Sequence, residues 1–193
     1  RGDVATLGIE LSNTDTATVT IGTVGENNWA QNVTVEDSNG DGVATFAFNT
    51  YTAGTDGKGN YLIYSFGNDS VTNVGRPAGA FDPDTPAADT LAADDYPIAA
   101  VAGKTPASET DDGADAVGTL SLRERSTMDI TTYTAPGSRL PDIGNVSAIE
   151  SLLENGNVTE TSEVGAGDTL LFKLDASGLE GVLQNHTDNA YAN

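Results

Sequence analysis

The stretch VATLGIELSNTDTATVTI, residues 4–21, decides the fold class. Its two halves, 4–11 and 16–21, are rich in Val and Thr and alternate with period two; Ser12-Asn13-Thr14-Asp15 forms a turn between them. Alternation of that period sets every second side chain on one face, so each half reads as a strand that buries one side. The same texture returns at 31–36, 43–49, 61–66, 70–74, 96–102 and 117–123. Eight short strands bounded by Asn, Asp and Gly predict a mainly β chain built as an antiparallel sandwich. Tyr96 enters a late strand just after Asp94-Asp95. That is the setting of the tyrosine corner in immunoglobulin-like domains, which sharpens the expectation to an immunoglobulin-like β-sandwich over residues 1–125. Tyr96 as an ordinary half-buried strand residue is the other reading.

After Arg123-Glu124-Arg125 the pattern changes. Residues 126–134 form another strand, ended by Ala135-Pro136-Gly137. In 145–154, Val146, Ile149, Leu152 and Leu153 share one helical face, Ser147 and Glu150 have capping-box spacing, and Asn155-Gly156 stops the helix. A strand at 169–175 and a short turn or helix at 178–183 follow. So few elements hold too little core to stand alone. Residues 126–193 are therefore expected to begin a second, smaller α+β or β module packed on the first, and the chain reads as a piece of something longer.

Acidic residues number 29 against 8 basic ones, a formal charge of −21, with lysine only at Lys58, Lys104 and Lys173. Such a chain is repelled by nucleic-acid phosphates and by anionic membranes. High charge is also a mark of disorder, but 37% apolar residues in alternating runs require a core. A folded, carboxylate-rich, lysine-poor protein suits molar salt, where screening over about 3 Å mutes self-repulsion. The absence of cysteine excludes disulfides, thiolate catalysis and Cys-ligated zinc. With no run of 18 apolar residues and no signal peptide, no direct membrane insertion is read from these residues.

No constellation points to catalysis. The one histidine, His186, lies near the C-terminus without a partner base, and no nucleophile elbow, Walker or dinucleotide pattern occurs. The pairs Asp94–Asp95 and Asp111–Asp112 read as solvated charge. The chain is not expected to be an enzyme.

A candidate metal loop lies in EDSNGDGVATF, residues 36–46. Asp37, Asn39, Asp41 and the Val43 carbonyl stand at positions one, three, five and seven of an EF-hand-type loop. Position twelve, where a bidentate Glu belongs, is Phe48, and the residues after Gly42 alternate like a strand. One reading is a hairpin turn, with Asn39-Gly40 and Asp41-Gly42 supplying positive φ angles. The other is a partial oxygen cage that holds Ca²⁺ weakly. No other cofactor is expected.

Five Asn-x-Ser/Thr sequons are candidates for N-linked glycans: Asn32, Asn68, Asn145, Asn157 and Asn185. Alternation in Asn32-Val33-Thr34-Val35 turns the valines inward, so Asn32 and Thr34 are expected to face water as a glycan requires. Asn68 and Asn157 lie in turn-like contexts, Asn145 is a helix-cap candidate, and Asn185 belongs to the tail.

Several motifs together resemble repeat modules of haloarchaeal cell-surface glycoproteins. They are Arg1-Gly-Asp-Val-Ala5, Asn13-Thr-Asp-Thr-Ala-Thr-Val-Thr-Ile-Gly22, Asn39-Gly-Asp-Gly42, Phe48-Asn-Thr-Tyr-Thr-Ala-Gly54 and Arg125-Ser-Thr-Met-Asp-Ile-Thr-Thr-Tyr-Thr-Ala-Pro136. The resemblance implies an extracellular immunoglobulin-like module of an S-layer or envelope chain, in contact with copies of itself or with neighbouring domains. It also implies glycans and dependence on divalent cations, and it brings no catalytic residues. A contrasting expectation is an extracellular binding module, an adhesin or carbohydrate-binding domain, that uses the long loops 75–95 and 103–116. Sugar stacking needs exposed aromatics. Those loops offer only Phe81, and the sole tryptophan, Trp29, sits in the turn-like 26–31, which favours the structural module.

Overall fold

The computed structural model describes residues 1–54, 62–75, 90–104, 113–138 and 146–186. The chain is mainly β, and its sheets are antiparallel. Its strands are β1 (Val4–Glu10), β2 (Thr16–Ile21), β3 (Gln31–Glu36), β4 (Val43–Asn49), β5 (Ile63–Ser65), β6 (Ser70–Gly75), β7 (Asp95–Ala102), β8 (Ala116–Ser121), β9 (Thr127–Pro136), β10 (Thr159–Glu160) and β11 (Asp168–Ala176). The helices are α1 (Val24–Asn27), α2 (Val146–Glu154) and α3 (Glu180–His186). They divide between two compact units, Arg1–Arg125 with the segment that starts at Ser177, and Ser126–Ala176. The sequence division groups 177–193 with the second module, whereas the chain from Ser177 clusters with the first unit.

In the first unit the strands form two sheets, ordered β1-β4-β5 and β6-β3-β2-β7-β8. One core serves both. Val19, Ile21, Val33 and Val35 come from the larger sheet, Ala44, Phe46, Phe48 and Ile63 from the smaller, and all are buried. Burying each large apolar side chain stabilises the fold by about 1.5–3 kcal/mol. The connection from β3 to β4 is not the hairpin that its Asn-Gly and Asp-Gly pairs suggest. The two strands belong to different sheets, so Asp37–Gly42 crosses over the edge of the core. Gly40 and Gly42 do adopt positive φ, at 77° and 89°. Alternation says which side chains point inward, but a strand on either side of a core satisfies it equally.

The face of the larger sheet opposite the core also departs from expectation. Thr18, Thr20 and Thr34 lie on that face, yet their exposures are 1%, 2% and 3%. Thr34 therefore does not face water. Its hydroxyl lies 3.1 Å from that of Thr18, which donates to the Gly103 carbonyl at 2.9 Å. Buried hydroxyls need such partners, and threonine on threonine across a strand pair supplies them.

Aromatic packing closes one end of the core. Thr23 caps α1 by accepting from the Glu26 N–H, and Asn28 ends it in the left-handed region, so Trp29 turns back inward. The indole packs edge-on to Tyr96, with centroids 6.1 Å apart, and against Phe48 at 5.7 Å, while its Nε1–H donates to the Ala53 carbonyl at 3.0 Å. The Tyr96 hydroxyl donates to the Ala92 carbonyl four residues upstream at 3.1 Å, the bond that defines a tyrosine corner. Burial, and then the nearby Asp94 carboxylate, raise the Tyr96 pKa, so the hydroxyl stays protonated and keeps donating.

The second unit is smaller. Its sheet, ordered β10-β9-β11, carries α2 on one face, where Leu152 and Val158 are buried with Ala135 and pack on Tyr133, Leu153 and Leu171. Tyr133 and Leu171 are register partners, so this face is defined by odd-numbered residues in both long strands.

The segment from Ser177 is bound into the first unit by its backbone. Asp3 accepts from the Gly178 N–H at 2.8 and 2.9 Å and from the Glu180 N–H at 3.3 Å. Gly181 donates to the Gly2 carbonyl at 2.8 Å and accepts from Asn49 Nδ2 at 3.0 Å. A side chain at Gly181 would begin 2.7 Å from the Gly2 oxygen and 2.8 Å from Tyr51 Cβ, so the approach requires glycine. Asp3→Ala strips acceptors from two backbone donors, and the expected cost is about 1–3 kcal/mol. In a chain of this size that lowers Tm by roughly 2–4 °C per kcal/mol. Thermal unfolding in molar NaCl checks it, and an unchanged Tm would show that the segment contributes nothing to the first unit.

Candidate functional site

The acidic loop between β3 and β4 is built by side chains folding back on their own backbone. Asp37 Oδ1 accepts from the Gly40 N–H at 2.7 Å, and Oδ2 from the Gly42 N–H at 2.8 Å. Asn39 Oδ1 accepts from Asp41 N at 2.9 Å, and Asp41 Oδ1 from Val43 N at 2.9 Å. These are Asx turns in series, the local geometry that Asn and Asp favour. A fourth residue ties the loop down. Asp69, only 7% exposed, accepts at Oδ1 from Ser38 N and Asn39 Nδ2 and at Oδ2 from Thr45 N at 2.8 Å. Sequence reasoning missed Asp69, whose only signal was its place in the turn-like Gly67-Asn68-Asp69. The candidate ligand positions thus share one loop, with their side-chain oxygens turned to N–H groups. Among the described residues no three carboxylate or histidine groups converge as cation ligands would. A cation there would have only the lone pairs that the turn leaves over.

The other candidate residues lie apart. Asn68 is exposed at the tip of the β5–β6 connection, beside Gly67 with φ 66°. Asn32 is half-buried, and its Oδ1 accepts from Thr20 Oγ1 at 2.8 Å. Asn157 is half-buried where its N–H bonds the Leu152 carbonyl at 2.9 Å and closes α2. Asn145, Phe81 and Asp111–Asp112 lie outside the described residues, as do the side chains of Asn185 and His186. Asp94 accepts from Asp95 N at 2.9 Å and Asp95 from the Ser121 hydroxyl at 2.6 Å, so both serve the start of β7.

The hydrogen bond from Gly42 is the main cause that holds the Asp37 pKa below its ordinary 3.8, helped by Gly40 and opposed by partial desolvation. A depressed carboxylate contributes stability above its unfolded pKa and loses it as pH falls through the folded value. Carbon-detected NMR is expected to place the Asp37 midpoint below 3.8, with the Gly40 and Gly42 amides shifting in step. A midpoint at or above the ordinary value would remove the clasp. Repeating the titration with CaCl₂ at fixed ionic strength separates the two readings of the loop, because a bound cation lowers the midpoint further and a plain turn leaves it in place.

Residues 1–103 match the family described as "Domain of unknown function (DUF7827)". Over 191 residues the chain is 32% identical to Cell surface glycoprotein 1 of Haloarcula hispanica, covering 99% of this chain and 20% of that protein. Cell surface glycoprotein 2 of the same organism is 32% identical over 95% of this chain and 19% of its own. The cell surface glycoprotein of Haloferax gibbonsii is 34% identical over 93% and 19%. The chain spans about a fifth of the length of the curated relatives it matches. No solved structure gives a significant match. The motifs that resemble haloarchaeal surface glycoproteins therefore belong to a similarity that runs along nearly the whole chain. With its first 103 residues matched, more than half of its length, the chain belongs to the DUF7827 family.

Proposed function

We propose that the chain is a structural module of an extracellular, salt-adapted haloarchaeal surface-layer or envelope glycoprotein, in contact with neighbouring domains or with copies of itself. The observation that carries this reading is the 32% identity to a cell surface glycoprotein over 99% of the chain. The charge of −21 and the placement of Trp29 support it. At 4% exposure the sole tryptophan belongs to the core, so it offers no stacking platform for a sugar, which weighs against the binding-module alternative.

An immunoglobulin-like first unit is part of the proposal. The neighbours β2-β7-β8 run as strands C, F and G do, and the tyrosine corner stands at the start of the F counterpart. One departure is clear. In the immunoglobulin order the neighbour of strand B immediately precedes F, whereas here β4 is the neighbour of β1, and β5 and β6 intervene before β7. Glycans at the exposed sequon Asn68 and at Asn32 belong to the same reading.

Salt dependence tests the adaptation. Self-repulsion grows as the screening length lengthens from about 3 Å at molar salt to about 10 Å at 0.1 M. Dilution from molar to 0.1 M NaCl is expected to lower Tm and to weaken the β-type circular dichroism. An unchanged spectrum and Tm would contradict the salt-adapted reading. In material from the native host, intact-peptide mass spectrometry is expected to find Asn68 glycosylated; a bare Asn68 beside occupied sequons elsewhere would overturn its assignment.

A further inference from the structure

The second unit leaves one face of its sheet uncovered. Alternation puts Met128, Ile130, Thr132 and Thr134 of β9 opposite the helix-bearing side, and their register partners Leu170, Phe172 and Leu174 of β11 share that side. Exposures are 69% for Met128, 60% for Ile130, 68% for Phe172, 49% for Leu174 and 39% for Leu170. Thr159 of β10, paired with Thr134, extends the same face. From Met128 to Thr134 and from Leu170 to Leu174, every side chain on this face is apolar or threonine. In a chain with 29 carboxylates, a continuous uncharged face is out of keeping with the rest of the surface.

We propose that this face is the contact surface for a second copy of the chain, the two sheets stacking face to face about a two-fold axis. Charge permits a like partner on this face. Each copy carries −21, so close approach is least opposed where neither surface bears charge. Between Met128 and Thr134 and between Leu170 and Leu174 a partner that recognises ions finds nothing to hold; the one carboxylate that alternation adds, Asp168, stands at the end of β11. Shape agrees. Phe172 stands beside Thr132 and Leu170 beside Thr134, which makes a ridge on β11 next to a shelf at that end of β9, while Ile130 and Leu174 stand level at the other end. A two-fold copy sets the ridge of each sheet over the shelf of the other, at the spacing of roughly 10 Å usual for stacked sheets. Area is sufficient. At roughly 100 Å² for each of the five large side chains, a pair buries about 1,000 Å², the lower bound for a specific interface. The proposal gives the envelope reading a definite contact surface, but it stands on this face alone.

Sedimentation equilibrium in molar NaCl, across two decades of concentration, is the test. A monomer–dimer equilibrium is expected for the wild type. Phe172→Asp and, independently, Met128→Asp are expected to weaken it about tenfold or more. Lys173→Ala, on the helix-bearing side of the same strand, is expected to leave it unchanged. Met128 is the only methionine, so sulfoxide formation by dilute peroxide, read on the intact mass, reports this face without any substitution. Oxidation is expected to slow as dimer forms. A wild type that stays monomeric, a dimer that survives both aspartates, or an oxidation rate independent of concentration would each overturn the interface. None of these results touches the envelope reading, whose own failure would appear as bare sequons in native material.

Discussion

The contact between Trp29, Tyr96 and the backbone at Gly22 is the constraint on which the first unit depends. The two sheets share one core, and its open end is sealed by Trp29 from the α1–β3 connection and Tyr96 from the start of β7. Gly22 has φ 77°, bonds the Pro97 carbonyl at 2.7 Å and leaves space that a Cβ would fill at 2.6 Å from the Trp29 oxygen. That missing side chain lets β2 end directly beneath the indole. The indole then covers Phe48 of the smaller sheet, and Tyr96 begins the strand that pairs with β2 in the larger one. Both sheets are thereby fixed to the same aromatic pair.

Around this core the charge is arranged with little tolerance for burial. Among the described residues Asp69 is the one buried carboxylate, and three donors satisfy it. Asp37, Asp41 and Asp3 also spend their oxygens on backbone N–H groups, where a carboxylate accepts more strongly than a neutral group does. Among the described residues, the acids that looked most like chemistry in the sequence, Asp37, Asp41, Asp94 and Asp95, each accept from a nearby backbone N–H or hydroxyl. On the salt-adapted reading proposed above, the rest of the acidic excess makes stability depend on salt, and the proposed interface is the face where a like-charged copy meets least repulsion.

Strand positions were largely legible in the sequence, because period-two alternation is imposed by the pleat and survives any sheet order. Strands expected at 16–21, 31–36 and 43–49 match β2, β3 and β4, and the helix expected at 145–154 is α2 at Val146–Glu154. What alternation cannot carry is partnership. The 36–46 segment reads as a hairpin because its Gly pairs suit one, yet a crossover uses the same angles. Thr34 reads as exposed because its neighbours point inward, although facing away from a core is not the same as meeting water. The return of 177–186 to the first unit rests on Gly2, Gly178 and Gly181, and glycines that permit close approach look in sequence like any turn. Asp69 was hidden for a similar reason: its donors lie more than twenty residues away in the chain.

The most direct test of the account is the stability of Gly22→Ala, measured by thermal and denaturant unfolding in molar NaCl. Alanine there must hold a left-handed backbone and displace the Trp29 carbonyl, so a loss of about 3 kcal/mol or more is expected. Tryptophan fluorescence and far-ultraviolet circular dichroism should fall together in one earlier transition, because both sheets depend on the same aromatic seal. A variant that melts with the wild type, or that loses its tryptophan signal while the β spectrum persists, would contradict the claim that this contact joins the two sheets.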